Sequence, residues 1–378
     1  MRRVFFKLCL FFLPISALHL ALAGIAWHSG EAMPVSRIVK LQHSEAGSFF
    51  GSVTEMRYGD YKLAAYRSRQ PKILILGNSL TLNVRSEFFT KSPGAVYNGS
   101  VGGWHLPNMR TFYQRLENQP EILITLIDLG WFLDDIKSAA DENPYNPNTE
   151  FEFKRIQQAT VEMVHRLLNG RLNFTQILQR RDPLTGRTSL GLRALELSHG
   201  YRLDGSRQLG RLAIRPDHWS RLVQEELDRV VVAGEVSMAS PPIHEPAFAL
   251  LQRFLQEAKD DGMAVFGITT PRHFAILERM KELGRDRHIA PIRARVEELF
   301  ATFGFHYHYF GDMRAYGASA NEWYDGRHMS ESNSLRMMLA LFDRHPDIFD
   351  PYTDREELRH FLESFTNPMD IFHELPPL

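Results

Sequence analysis

A serine, an aspartate and a histidine set the chemical possibilities of this 378-residue chain. Ser79 lies near the end of the segment Lys72-Ile73-Leu74-Ile75-Leu76-Gly77-Asn78-Ser79-Leu80, and Asp325-Gly326-Arg327-His328 lies far downstream. A serine hydroxyl is a weak nucleophile until a base takes its proton. His328 is the candidate base, and Asp325 is the group that would orient its ring. Gly102 and Gly103 can present a backbone N–H without side-chain obstruction, and with the N–H of Ser79 the Gly103 amide can stabilise an oxyanion. Asn98 can order the turn carrying those glycines, and Asn78 and Trp131 are candidates for shaping the site. Such a set performs ester hydrolysis or acyl transfer and needs no metal and no organic cofactor. Ser79 is equally placed to cap a helix, whose free N–H groups would favour an oxyanion. A rival set, His306, His308 and Asp312, puts two histidines on one strand face near a carboxylate, as a divalent metal would require. No HExxH pattern or cysteine cluster accompanies it.

The elements that must position these residues follow from the apolar pattern. Ile73–Leu76 is a continuous apolar run bounded by Gly77, which predicts a strand buried on both faces of a parallel sheet. Further strands are predicted over 95–97, 121–127, 264–268 and 305–310. Helices are predicted over 106–116, 245–260 and 290–303, with another starting near Ser330. This alternation predicts an α/β fold, a three-layer sandwich with a central, mostly parallel sheet and a helical insertion. Ligand sites in such folds lie at the carboxyl ends of the strands. Ser79, Gly103, Trp131, Pro271 and the Asp325 loop all fall just after predicted strands. The expected domains are an N-terminal anchor or uncleaved signal (1–30), a polar connector (31–70) and a catalytic domain (71–345). An insertion at about 133–245 is expected to cap or shape the site, with a loop at 143–148 and a turn-rich piece at 200–206. A helical tail (346–378) completes the chain.

Bulk composition excludes several classes of function. Lys and Arg total 44 against 45 Asp and Glu, a net charge of −1, so no field of one sign argues for nucleic acid. The single cysteine, Cys9, lies in the N-terminal apolar stretch, leaving the remainder without an internal disulfide or a cysteine metal site. Arg2, Arg3 and Lys7 precede a stretch from Leu8 to Trp27 with no Asp, Glu, Lys or Arg. That length matches a hydrocarbon core of ~30 Å, and the flanking positive charge predicts a cytoplasmic N-terminus. The expected location is the cell inner membrane, single-pass, with the C-terminal domain in the periplasm. Secretion after cleavage at Ala21-Leu22-Ala23 is the alternative.

The three blocks around the candidate residues resemble those of the SGNH/GDSL hydrolases. Gly77-Asn78-Ser79-Leu80 is similar to the Gly-Asp-Ser-Leu block, with Asn78 in place of Asp. Asn98 to Gly103 is similar to the block whose glycine donates to the oxyanion, and Asp325 to His328 is similar to the last block. The family's Gly-x-Asn-Asp block is not recognisable. Ile127-Asp128-Leu129-Gly130-Trp131-Phe132 stands there and resembles the membrane-anchored DltD-like branch. The resemblance implies a SGNH/flavodoxin-like fold and a Ser-Asp-His esterase or O-acyltransferase. It implies substrates among the acyl groups, O-acetyl or D-alanyl, of cell-envelope polysaccharide or polymer, and a membrane-bound O-acyltransferase as partner. A non-catalytic assembly protein that binds polymer or that partner is the competing expectation.

Overall fold

The computed structural model describes residues 2–45, 47–53, 58–133, 153–236 and 242–376. The loop expected at 143–148 lies outside them. The strands are β1 (Phe49–Phe50), β2 (Ile73–Leu76), β3 (Val96–Asn98), β4 (Ile122–Leu126), β5 (Ser189–Leu190), β6 (Gly200–Tyr201), β7 (Arg207–Gln208), β8 (Ala264–Thr269) and β9 (His306–Tyr309). The helices are α1 (Arg2–His28), α2 (Val35–Ser44), α3 (Tyr58–Arg69), α4 (Leu106–Tyr113), α5 (Phe153–Leu168), α6 (Phe174–Gln179) and α7 (Leu192–Leu197). They continue with α8 (Pro216–Val236), α9 (Glu245–Asp260), α10 (Phe274–Glu282), α11 (Ile289–Phe303), α12 (Glu331–Arg344), α13 (Pro346–Phe349) and α14 (Arg355–Ser364). The chain divides into two compact units, Met1–Tyr61 with Asn146–Leu203 and Lys62–Tyr145 with Asp204–Leu378.

The second unit is built on a five-stranded sheet in the order β3-β2-β4-β8-β9. Every pairing in it is parallel: Ile73 faces Val96 and Ile122, Ile122 faces Ala264, and Phe266 faces His306. Numbered within the sheet, the order is 2-1-3-4-5, a doubly wound order in which the direction of strand addition reverses between the first and third strands. Alternate residues point to opposite faces. Ile73, Ile75, Ile124, Phe266 and Ile268 bury against a core that includes Leu335, Met338 and Phe342 of α12 and Leu358 of α14. On the other face, Gly267 leaves room for the Phe300 ring of α11, and α4, α9 and α11 pack together. Helices on both faces of a parallel sheet are compatible with a three-layer α/β fold. The expected tail is part of this unit, because Phe349, Leu358 and Ile371 sit in its core.

Of the expected connector, 31–70, residues 31–61 belong to the first unit. Phe49 and Phe50 pair with Ser189 and Leu190, and Phe50 with Tyr201. Glu31 is fully buried. Its carboxylate accepts from Ser52 Oγ and from the Val53 and Leu192 amides, joining three segments. A buried carboxylate is tolerable only with such partners. The last turn of α1 joins the same unit, with Ala26 in a cluster with Ala159, Met163 and Ile177. Farther back, Phe11, Phe12, Leu13, Leu18 and Leu20 are all more than half exposed. The window Phe11–His28 has a mean hydropathy of 1.5 and is 6% buried. By length and composition it can cross a bilayer, and signal sequences answer the same description.

Candidate active site

Ser79 lies in a turn just beyond β2, and no α-helix follows it. The expected helix, with its capping role and its dipole, is therefore corrected. The cause is Asn98, which is 1% exposed. Its Nδ2 donates to the carbonyls of Thr81 and Val84, both at 2.8 Å, where a helix would place its own amides. Asn98 Oδ1 accepts from Ser100 N at 3.0 Å and so also forms its own turn. The Val101 amide donates to Gly77 O at 3.2 Å, and Thr81 Oγ1 lies 2.8 Å from Ser100 Oγ. These contacts lock the serine loop to the glycine loop. A Cβ placed on Gly102 would lie 3.9 Å from Ser79 Cβ.

Behind Asn98 sits a buried polar layer. The Asn98 amide donates to Asp204 O at 2.8 Å, and Lys62 Nζ donates to the carbonyls of Asn98 and Gly205. Burial holds the Lys62 pKa well below the lysine range, against the attraction of Asp204 and in concert with the repulsion of Arg207. Gly205 has φ +82°, and a Cβ there would lie 2.1 Å from Asn98 O. Gly205→Ala is therefore expected to cost about 2–4 kcal/mol through left-handed strain and overpacking. A urea melt checks this, and an unchanged midpoint would contradict it.

Asp325 and His328 share a tight turn between β9 and α12, in which Tyr324 N donates to His328 O at 3.1 Å. Asp325 Oδ1 accepts from the Arg327 and His328 amides, each at 2.7 Å. Asp325 Oδ2 lies 2.8 Å from His328 Nδ1, and His328 Nε2 lies 2.8 Å from Ser79 Oγ. A carboxylate only accepts, so Nδ1 carries the ring proton and Nε2 offers its lone pair to the serine hydroxyl. Burial alone would raise the Asp325 pKa. The hydrogen bond and charge of His328, with the two amides, outweigh burial and hold it at about 2. Asp325 is thus ionised throughout the physiological range.

Two devices fix the histidine turn against the serine loop. Asn83 Nδ2 donates to Met329 O at 2.6 Å. The Arg85 guanidinium, 1% exposed, reaches both Glu331 oxygens at 3.2 Å, Glu374 at 3.1 Å and Glu87 at 2.5 Å. Burial works against the Arg85 charge, but three carboxylates prevail and raise its pKa well above the ordinary value. Ser330 Oγ accepts from Asn333 N at 3.0 Å and caps α12 at its first residues.

The serine and histidine open into a cavity of about 520 Å³ at the carboxyl ends of β2, β3, β4 and β8. Asn78, Ser79, Gly103, Trp131 and His328 line it, whereas Gly102 and Asn98 do not. Among the described residues, the amides of Ser79 and Gly103 donate to no protein group. Gly103 has φ +77°, which turns its peptide in a way that other residues resist. Asn78 Oδ1 accepts from Leu80 N at 2.9 Å, which directs Nδ2 away from that bond. Beyond β4, Asp128 Oδ1 accepts from Gly130 N at 3.0 Å. The short turn it starts sends Trp131 to the cavity wall and Phe132 into the core against Phe248. Sequence reasoning missed Arg272, Asp128, His105 and Tyr309, which also line the cavity. The available signal was position, since Arg272 follows Thr269-Thr270-Pro271 at a strand end.

The rival histidines, His306 and His308, both meet a third, His345, instead. His308 Nε2 lies 2.8 Å from His345 Nε2, and the Asp312 carboxylate is taken by Arg314. No group of three or more metal-ligating side chains occurs among the described residues. Two Nε2 atoms at that distance share one proton, so both rings cannot be charged. Burial, then His345, Arg344 and His306, push the His308 pKa down to about 4. An unfolded histidine titrates near 6.5. The stability from neutral His308 is present above that value and is lost as pH falls toward 4. His308→Asn is expected to flatten the decline in melting temperature between those values, and an unaltered slope would contradict it.

Comparison with protein-family models, with curated proteins and with solved structures returns no match for this chain.

Proposed function

We propose that this chain is a serine esterase or O-acyltransferase of the SGNH/GDSL kind, related to the DltD-like branch and acting on acyl groups of an extracytoplasmic polymer. The observation that carries the reading is the Ser79–His328–Asp325 chain of contacts, each at 2.8 Å, beside two unpartnered amides. The sheet order and the placement of the site at the strands' carboxyl ends give further support.

Ser79 Oγ attacks the acyl carbon of an ester or thioester while His328 Nε2 takes the hydroxyl proton. The carbonyl oxygen becomes an oxyanion facing the N–H groups of Ser79 and Gly103. Collapse breaks the bond to the leaving alcohol or thiol, which receives the proton from His328. An acceptor hydroxyl, from a sugar or from water, then gives its proton to His328 and attacks the acyl-serine; the bond from the acyl carbon to Ser79 Oγ breaks, and that oxygen takes the proton back from His328. Asp325 holds the ring in the tautomer that accepts from serine. A retained α1 anchors the protein in the inner membrane with the site on the periplasmic side, where polymer and a membrane-bound O-acyltransferase would be met.

The test is hydrolysis of 4-nitrophenyl acetate by the full chain in detergent, with and without a polysaccharide acceptor. Ser79-dependent release of nitrophenol supports the reading, and acetylated acceptor makes it a transferase. Release that persists in Ser79→Ala overturns it.

A further inference from the structure

Two arginines stand in the cavity beside the triad, and the acyl chemistry above gives neither a task. Arg272 follows β8, and Arg327 sits within the Asp325–His328 turn; both line the cavity. The His273 amide donates to Gly326 O at 3.1 Å, which joins their two loops. Arg327 Nη2 reaches Asp128 only at 3.7 Å, beyond a hydrogen bond, and its side chain is 44% exposed. Arg272 makes no hydrogen bond or ion pair among the described residues. It is half-buried nonetheless. Burial and the repulsion of Arg327 hold its pKa below the arginine range, with only partial relief from Asp128 and Glu226.

A guanidinium carries five N–H donors and stays charged, so enclosing it without acceptors is costly. The cavity offers little protein compensation. Asp128 is the one carboxylate among its described lining residues. One of its oxygens already accepts from Gly130 N, and the other faces Arg327. Two guanidiniums against one carboxylate leave a net positive wall. Glu226 is engaged by Arg229 at 2.9 Å. The planar fork of arginine matches paired anionic oxygens, and an enclosed site strengthens such a contact.

We propose that Arg272, assisted by Arg327, seats an anionic oxygen group of the substrate. The substrate of this site is then an acidic one, bearing a carboxylate or a phosphate ester close to its acyl linkage. The assignment of the cavity as a substrate site rests on the esterase reading, whereas the anion seat itself is tested without catalysis.

The experiment uses the full chain carrying Ser79→Ala in detergent. Glucuronate, glucose 6-phosphate and glucose are titrated while tryptophan fluorescence is followed, Trp104 and Trp131 both lining the cavity. The expected result is saturable binding of an acidic sugar at least about tenfold tighter than that of glucose, lost on adding Arg272→Met. Which acid binds separates a carboxylate from a phosphate source. Arg272→Lys keeps the charge without the fork and is expected to bind at an intermediate level, so it serves if the methionine variant fails to fold. Equal binding of glucose, no binding of either acid, or unchanged binding in a folded Arg272 variant overturns the proposal. Fluorophosphonate labelling of the wild type runs in parallel. Binding without labelling keeps the anion seat and removes the esterase, and labelling without binding does the reverse.

Discussion

Ser79→Ala is expected to lower kcat for ester hydrolysis by about 10⁴–10⁶-fold, and His328→Ala by a similar factor. The hydroxyl and the ring act as one unit across 2.8 Å, so the double variant should be scarcely worse than either single one. A double variant that multiplies the two losses would indicate separate roles. Asp325→Asn should cost about 10⁴-fold for a different reason. An amide can donate as well as accept, which lets His328 take the tautomer with its proton on Nε2, where it can no longer accept from Ser79. Because Asp325 ionises at about 2, its protonation should not limit the wild-type rate anywhere above pH 4. Steady-state kinetics across pH check each point.

Arg85→Ala is expected to destabilise the second unit by about 3–5 kcal/mol. The side chain is 1% exposed, and Glu331 beside it is 3% exposed. Removing the cation leaves the buried Glu331 carboxylate without the Arg85 charge, with the Ile371 amide at 3.3 Å among the partners left to it. The loss also loosens the junction between the serine loop and the start of α12. Urea denaturation should therefore show a lowered midpoint, and His328 should lose its register with Ser79 before global unfolding. Activity that falls at lower urea than tryptophan fluorescence would show this. An unchanged midpoint would mean that the cluster contributes nothing net.

Much of this was legible in the residues for local reasons. The run in β2 is buried on both faces and so reads as a continuous apolar string, and those in β4 and β8 are nearly so. Asp325 and His328 lie three apart, and their turn is closed by the aspartate's own side chain. The Ser79 loop defied local reading because Asn98, distant in sequence, takes the carbonyls that a helix would have used. The segment holding Phe49 and Phe50 looked like a connector because its strand partner, Ser189–Leu190, is remote and equally short. Arg85 and Arg272 were missed because arginine is usually a surface residue. Only the surrounding carboxylates in one case, and their scarcity in the other, give these two a role.

The most direct test of the triad is mass-spectrometric mapping of the adduct formed when the full chain, in detergent, meets a fluorophosphonate. An activated serine attacks phosphorus and expels fluoride, whereas an ordinary hydroxyl does not. The expected result is one adduct, on the peptide bearing Ser79, absent from His328→Ala. A folded protein that stays unlabelled, or that carries an adduct indifferent to His328, would contradict a serine-dependent mechanism.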